Sequence, residues 1–295
     1  MLNKQPIPSN QSNIPIRWIV SDLDGTLLNS EQQIPPELVR RIARFTESGG
    51  RFTFATGRTL SAAQPFITLL QITSPVILFN GARIYDPVMG AYLTEHYLDS
   101  VSVRHVMRMY KEAEKAQQLD LLLFHEEGIF SFSAVLSEQV KKQMHKDGVV
   151  IETASPQWMD GFAGKVTKLM LIGPEADLIR FQQAAAAIPL NTVRSESQLL
   201  EVLPHGINKS TALSAMIRLL GAEDDDFAVV GDNLNDLEMI GSVRNGFAVA
   251  NANPVVKAAA AHVLARSNEK SALLDVIDFV ESTWPLGHGW SSTES

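Results

Sequence analysis

The chain has 295 residues, 45% of them hydrophobic and 20% charged; that balance excludes wholesale disorder, and at roughly 150 residues per domain the length suggests two domains or one large one. Asp and Glu (33) outnumber Lys and Arg (25), giving a net charge of −8, which argues against non-specific nucleic-acid binding because that needs basic surface. Cysteine is absent, so disulfides, thiolate metal sites and cysteine nucleophiles are excluded, and a reducing compartment fits.

Residues 1–15 are polar and dotted with proline, without the apolar core of a signal peptide, and read as a disordered tail. No run reaches the roughly 18 apolar residues that span a bilayer. We therefore expect a soluble, cytoplasmic protein with no membrane partner.

Strand and helix signals then alternate. Residues 17–21 form a short apolar strand, followed by a turn at Gly25. Residues 36–48 have helical spacing, with Leu38, Ile42 and Phe45 on one face and Pro36 suited to a first turn. A second strand covers 51–55, a helix 60–70 with Pro65 shifting or kinking it, and a third strand 76–79. Residues 84–85 and 91–97 read as paired strands, 101–115 as a helix, and 119–124 with 129–134 as a hairpin around 126–128. A short helix near 136–146, a strand over 165–172, a helix over 176–186 and strands over 192–195 and 199–202 follow. The last part returns to the opening rhythm: helix 210–220, buried strand 227–230, helix 234–240, strand 247–249 and helix 254–261. Residues 285–295 read as a second tail.

Short apolar strands joined by helices predict an α/β fold with a Rossmann-like, doubly wound parallel-sheet core. Consecutive strands with fewer helices between them predict an inserted α+β unit. The expected organisation is a discontinuous core of 16–82 and 205–284 and an insert of 83–204. No repeat of solenoid type is present.

Polar signals gather at the predicted strand ends. Asp22-Leu23-Asp24-Gly25-Thr26 follows the first strand. Two carboxylates two residues apart fall on one side of an extended segment. Close carboxylates raise each other's pKa unless a cation compensates, and oxygen ligands suit magnesium. Ala55-Thr56-Gly57-Arg58 follows the second strand, where a hydroxyl and free N–H groups ahead of a helix can cradle phosphate. Asn80-Gly81 follows the third. Lys209 opens the helix where the insert returns. Gly231-Asp232-Asn233-Leu234-Asn235-Asp236 follows the buried strand 227–230. Each alone has a plain reading: an acidic turn, a helix cap, a tight turn, a surface lysine, another cap. Together they supply carboxylates, a hydroxyl and a lysine on one sheet edge, a set suited to phosphoryl chemistry.

On the residues DLDGT (22–26), ATGR (55–58), NGA (80–82), Lys209 in GINKS and GDNLND (231–236), the chain resembles the haloacid dehalogenase-like superfamily, specifically the Cof-type phosphatases with a C2B cap. The resemblance covers about 16–282. It implies a phosphoric monoester hydrolase acting on small phosphorylated metabolites, such as sugar phosphates, through an aspartyl-phosphate, with Mg2+ as cofactor. It implies Asp22 as nucleophile and Asp24 as acid and base. The metal would be held by Asp22, Asp232 and the backbone carbonyl of Asp24. Thr56, Gly57, Lys209 and Asn235 would bind phosphate, Asp236 would steady the metal's waters or Lys209, and Arg58 would support. The insert 83–204 would be the cap, for which His96, His125, Glu126, Glu127, Lys165 and Trp158 are polar or aromatic candidates. A phosphomutase uses the same intermediate and stays open. A receiver-like phospho-accepting module fits poorly, because it lacks a large insert and an acid at the place of Asp24. The oligomeric state is left open.

Overall fold

The structure, a computed structural model, describes residues 16–114, 119–133, 135–154 and 165–284. The expected tails 1–15 and 285–295, and Trp158, lie outside them. No helix among the described residues is long and apolar enough to cross a membrane.

Strand β1 (Trp18–Ser21) is followed by helix α1 (Pro36–Glu47), which opens on Pro36 and buries Leu38, Ile42 and Phe45 as their spacing predicts. Next come β2 (Arg51–Phe54), α2 (Leu60–Leu69) and β3 (Val76–Leu78). Pro65 lies inside α2 without ending it. The hairpin β4 (Arg83–Asp86) and β5 (Ala91–Glu95) follows, then α3 (Ser100–Glu114), β6 (Asp120–His125), β7 (Gly128–Ser131), α4 (Glu138–Asp147), β8 (Ile151–Thr153), β9 (Val166–Ile172), α5 (Glu175–Ala185), β10 (Leu190–Glu196) and β11 (Leu199–Pro204). The chain ends with α6 (Lys209–Leu220), β12 (Phe227–Gly231), α7 (Leu237–Gly241), β13 (Asn245–Ala248), α8 (Pro254–Ala259), β14 (His262–Val263) and α9 (Leu273–Ser282).

The core sheet has the order β14-β13-β12-β1-β2 and every pairing in it is parallel. Central β1 and β12 are buried and apolar, as a strand covered on both faces must be. The expected third core strand differs. β3 pairs antiparallel with β4 of the hairpin and meets the parallel sheet through the parallel Ala55–Ile77 bridge.

The inserted region builds a separate six-stranded sheet, β10-β11-β9-β6-β7-β8, antiparallel except for β7 with β8. Its period-2 alternation sorts two faces. Leu121, Leu123, Leu169, Leu171, Leu200 and Val202 pack in one cluster with residues of α3 and α5. Phe124, Lys168, Met170, Leu199 and Glu201 face the opposite way and line a cavity shared with the carboxyl ends of β1, β2 and β12.

The helix predicted over 234–240 begins only at Leu237. Asp236 turns its carboxylate back onto the N–H groups of Asp232 and Asn233 (3.0 and 3.1 Å), which holds 232–236 as a turn. β14, a 3-10 turn (Asn268–Lys270) and α9 lie past the last predicted helix; α9 buries Leu273, Val276, Ile277 and Val280 at helical spacing.

Candidate active site

β1 delivers Asp22 to the edge of the parallel sheet, where its N–H donates to the Val230 carbonyl of β12 (2.9 Å). Its carboxylate does not join that of Asp24. It accepts from Lys209 Nζ (2.6 Å), and the same ammonium donates to Asp236 (2.7 Å). The exposures of Asp22, Lys209 and Asp236 are 4%, 1% and 0%. Asn208 and Thr211 form a reciprocal cap around the first turn of α6, which fixes where Lys209 enters.

Asp232 completes the group: ligand oxygens of Asp22, Asp232 and Asp236 all lie within 4.8 Å of one another. Thr26 Oγ1 donates to Asp232 Oδ1 (2.9 Å). Gly25 lies beside it at φ +82°, and a Cβ there would fall 2.5 Å from Asp232 Oδ2, so only glycine allows this approach.

The charges do not balance. Burial pushes the Asp22 carboxyl well above its ordinary range; Lys209 opposes this, while Asp236, Asp232 and Asp24 add to it. Asp232 is pushed up to about 7, first by burial and then by Asp236, with the Thr26 hydrogen bond opposing. Burial would lower the Lys209 ammonium, but Asp22 and Asp236 outweigh it and hold it above its ordinary value. An ion pair normally lowers the acid and raises the base; Lys209 follows that rule and Asp22 does not, because burial outweighs the ammonium beside it. Asp236 has both oxygens engaged, by Lys209 and by backbone N–H groups. Asp22 and Asp232 are thus the two carboxylates short of positive charge, and a hard divalent cation fits that oxygen set.

Asp24 points elsewhere. Arg58 grips it from two nitrogens, Nε at 2.9 Å and Nη2 at 2.8 Å. Gln32 also accepts from Nη2, and Arg58 lies over the Phe66 ring at 5.2 Å. Asp22 and Asp24 both line the same cavity, as their spacing predicts, but β1 ends at Ser21 and the chain turns through Leu23, so the two carboxylates take different partners, Lys209 and Arg58.

Thr56 is buried, and its hydroxyl accepts from the Arg58 N–H (3.1 Å). The helix-cap alternative for this motif falls to Thr59, whose side chain accepts from the Ala62 N–H. Asn80, at φ +51°, accepts from Asn235 Nδ2 (3.2 Å), so two of the sequence motifs meet. Asn80 Nδ2 is buried, has no hydrogen-bond partner among the described residues, and lies beside Gly57.

Part of this set opens on a cavity of about 340 Å³, whose lining does not include Thr56, Asn80, Lys209 or Asp236. Asp22, Asp24, Gly57, Arg58, Asp232 and Asn235 lie on one side, and Phe124, Lys168, Met170, Leu199 and Glu201 roof it. None of His96, His125, Glu126, Glu127 or Lys165 lines it. Sequence reasoning missed Lys168 and Glu201, although a charge inside VTKLMLI or LLEVLP is a visible signal, since a buried charge requires a partner.

The sequence profile of the family described as haloacid dehalogenase-like hydrolase matches residues 19–277. Similar proteins include an HMP-PP phosphatase of Serratia proteamaculans (strain 568), 29% identical over 244 residues, covering 82% of this chain and 86% of the relative. Another, from Escherichia coli (strain 55989 / EAEC) and of the same name, is 29% identical over 253 residues and covers 84% and 89%. Among solved structures, a haloacid dehalogenase-like hydrolase from Bacteroides thetaiotaomicron superposes with a TM-score of 0.78 at 25% identity, covering 90% of this chain and 99% of the other. One from B. subtilis gives 0.76 at 22% identity and 89% and 99% coverage, a likeness of fold.

Proposed function

This chain belongs to the haloacid dehalogenase-like hydrolases, Cof type, and is a phosphatase; we propose that it hydrolyses small phosphomonoesters through a phosphoryl group carried on Asp22. The observation that carries this reading is the buried Asp22–Lys209–Asp236 contact, set beside Asp232 under a roofed cavity.

Lys209 holds one oxygen of Asp22, which leaves the other as the attacking atom. That oxygen bonds to phosphorus as the ester oxygen departs. The departing oxygen takes a proton from Asp24. Asp24 then draws a proton from water, which attacks the phosphoryl group, and inorganic phosphate leaves with Asp22 restored. The Thr56 hydroxyl, the Gly57 backbone, Asn235 and Lys209 hold the phosphoryl oxygens, while Asp236 anchors both Lys209 and the 232–236 turn. Arg58 parks Asp24 between turnovers. Mg2+, held by Asp22, Asp232 and the Asp24 carbonyl, would neutralise charge on the phosphoryl group. The insert 83–204 acts as the cap: its sheet closes the cavity from above and selects the leaving group.

The test is phosphate release from p-nitrophenyl phosphate and a panel of phosphorylated metabolites, HMP-PP and sugar phosphates included, with and without Mg2+. Asp22→Asn runs beside the wild type. Magnesium-dependent release that the variant lacks is the expected result, and the panel ranks the substrates. Transfer between sugar positions without free phosphate would replace this reading with a mutase.

A further inference from the structure

β9 is buried along its whole length, yet its third residue is Lys168. A charge there is costly unless it is paired. Lys168 Nζ donates to Glu201 Oε2 on β11 (2.8 Å), and both residues are at most 3% exposed. The ammonium also lies over the Phe124 ring at 4.6 Å. Its remaining hydrogen bond crosses to the other wall of the cavity: Nζ donates to the backbone carbonyl of Gly57 (2.9 Å). Gly57 permits this approach, because a Cβ there would fall 2.8 Å from Asn80 Nδ2 and 3.1 Å from Glu201 Oε1.

The Gly57 carbonyl and the Arg58 N–H belong to one planar peptide unit and point in opposite directions. The lysine therefore sets the direction of that N–H, and the N–H donates to Thr56 Oγ1 (3.1 Å). A hydroxyl that accepts on one side turns its own proton away, here without an acceptor among the described residues. We propose that Lys168, held by Glu201, is a positioning residue that aims the Thr56 hydroxyl at the phosphoryl group through the Gly57–Arg58 peptide. This rests on the phosphatase reading and adds to it a specific link between the inserted sheet and the phosphate loop.

A double-mutant cycle on p-nitrophenyl phosphate hydrolysis with Mg2+ tests it, using wild type, Lys168→Met, Thr56→Ala and the double variant, with a thermal melt of each. Lys168→Met should lower kcat/KM by about 10- to 100-fold, the scale of a misplaced catalytic contact. In the Thr56→Ala background the same change should cost no more than about 3-fold, because residues acting in series are not additive. Losses that multiply in the double variant would overturn the proposal, as would wild-type kcat/KM in Lys168→Met. If Lys168→Met fails to fold, Lys168→Met/Glu201→Leu removes both buried charges and carries the same cycle. A wild type without turnover would instead remove the phosphatase reading, and this inference with it.

Discussion

Lys209 Nζ lies 2.6 Å from Asp22 Oδ1 across 187 positions of sequence. The contact exists because α6 begins under the carboxyl end of β1, with Lys209 at the first position after its cap residue Asn208. Lys209→Met keeps the bulk of the chain but leaves Asp22 and Asp236 buried without a cation. Removing one member of a buried ion pair costs about 3–5 kcal/mol. We expect a loss of that order in urea denaturation, together with loss of turnover. Adding Asp236→Asn should restore much of the stability and none of the activity. A Lys209→Met protein as stable as the wild type would refute this account of the cluster.

Gly25 faces Asp232 in a conformation and at a distance that exclude a side chain. Gly25→Ala should push the Asp232 carboxylate aside while the sheet stays intact. The Mg2+ concentration for half-maximal activity should rise about 10-fold or more, the scale seen when a metal ligand loses its support. Backbone strain should cost about 1–2 kcal/mol in stability. Unchanged magnesium dependence would separate Asp232 from the metal.

The parallel sheet was legible because β1 and β12 are continuous apolar runs ended by acidic turns, and buried parallel strands read in that way. Asp22, Thr56, Lys209 and Asp232 were legible for the same reason: each stands where a predicted strand ends or a helix begins. The partners were not. Nothing in DLDGT says that Asp24 turns to Arg58 rather than to Asp22, because that depends on a chain turn at Leu23 and on the position of α2. The delayed start of α7 was hidden too, since Asp236 works there as a side-chain acceptor for its own turn rather than as a helical residue. Lys168 and Glu201 lie 33 positions apart on strands that pair only in the folded insert.

The metal-free site carries a specific pH dependence. Asp232 rises from an ordinary value of 3.8 to about 7, and Asp22 also rises, both through burial. A carboxyl raised in the folded state favours folding below its unfolded pKa, and that contribution is lost as pH climbs through the folded value. Between about pH 4 and 7 the metal-free protein therefore gives up stability at this site. Magnesium needs both groups deprotonated, so its stabilisation grows over the same window. Melting curves in EDTA and in Mg2+ should separate progressively from about pH 4 to pH 7, and a gap that stays constant over that range would exclude these carboxylates as ligands.

Asp24 is gripped at 2.9 and 2.8 Å by Arg58, and Arg58 is itself held by Gln32 and the Phe66 ring. An acid so held must turn away from Arg58 to reach a leaving oxygen, and its two tasks can be told apart by leaving group. A nitrophenolate departs without a proton, whereas a sugar alkoxide does not. Hydrolysis of the phosphoryl-Asp22 needs a base in both cases. Asp24→Asn should therefore release p-nitrophenol in a burst of about one equivalent, followed by a slow phase, because the intermediate forms and then stalls. With a sugar phosphate the same variant should show no burst and a loss of about 10²–10⁴-fold from the first turnover, the range of general acid–base catalysis. Equal slowing of both substrates without a burst would place Asp24 outside the proton transfers and leave it only its contact with Arg58.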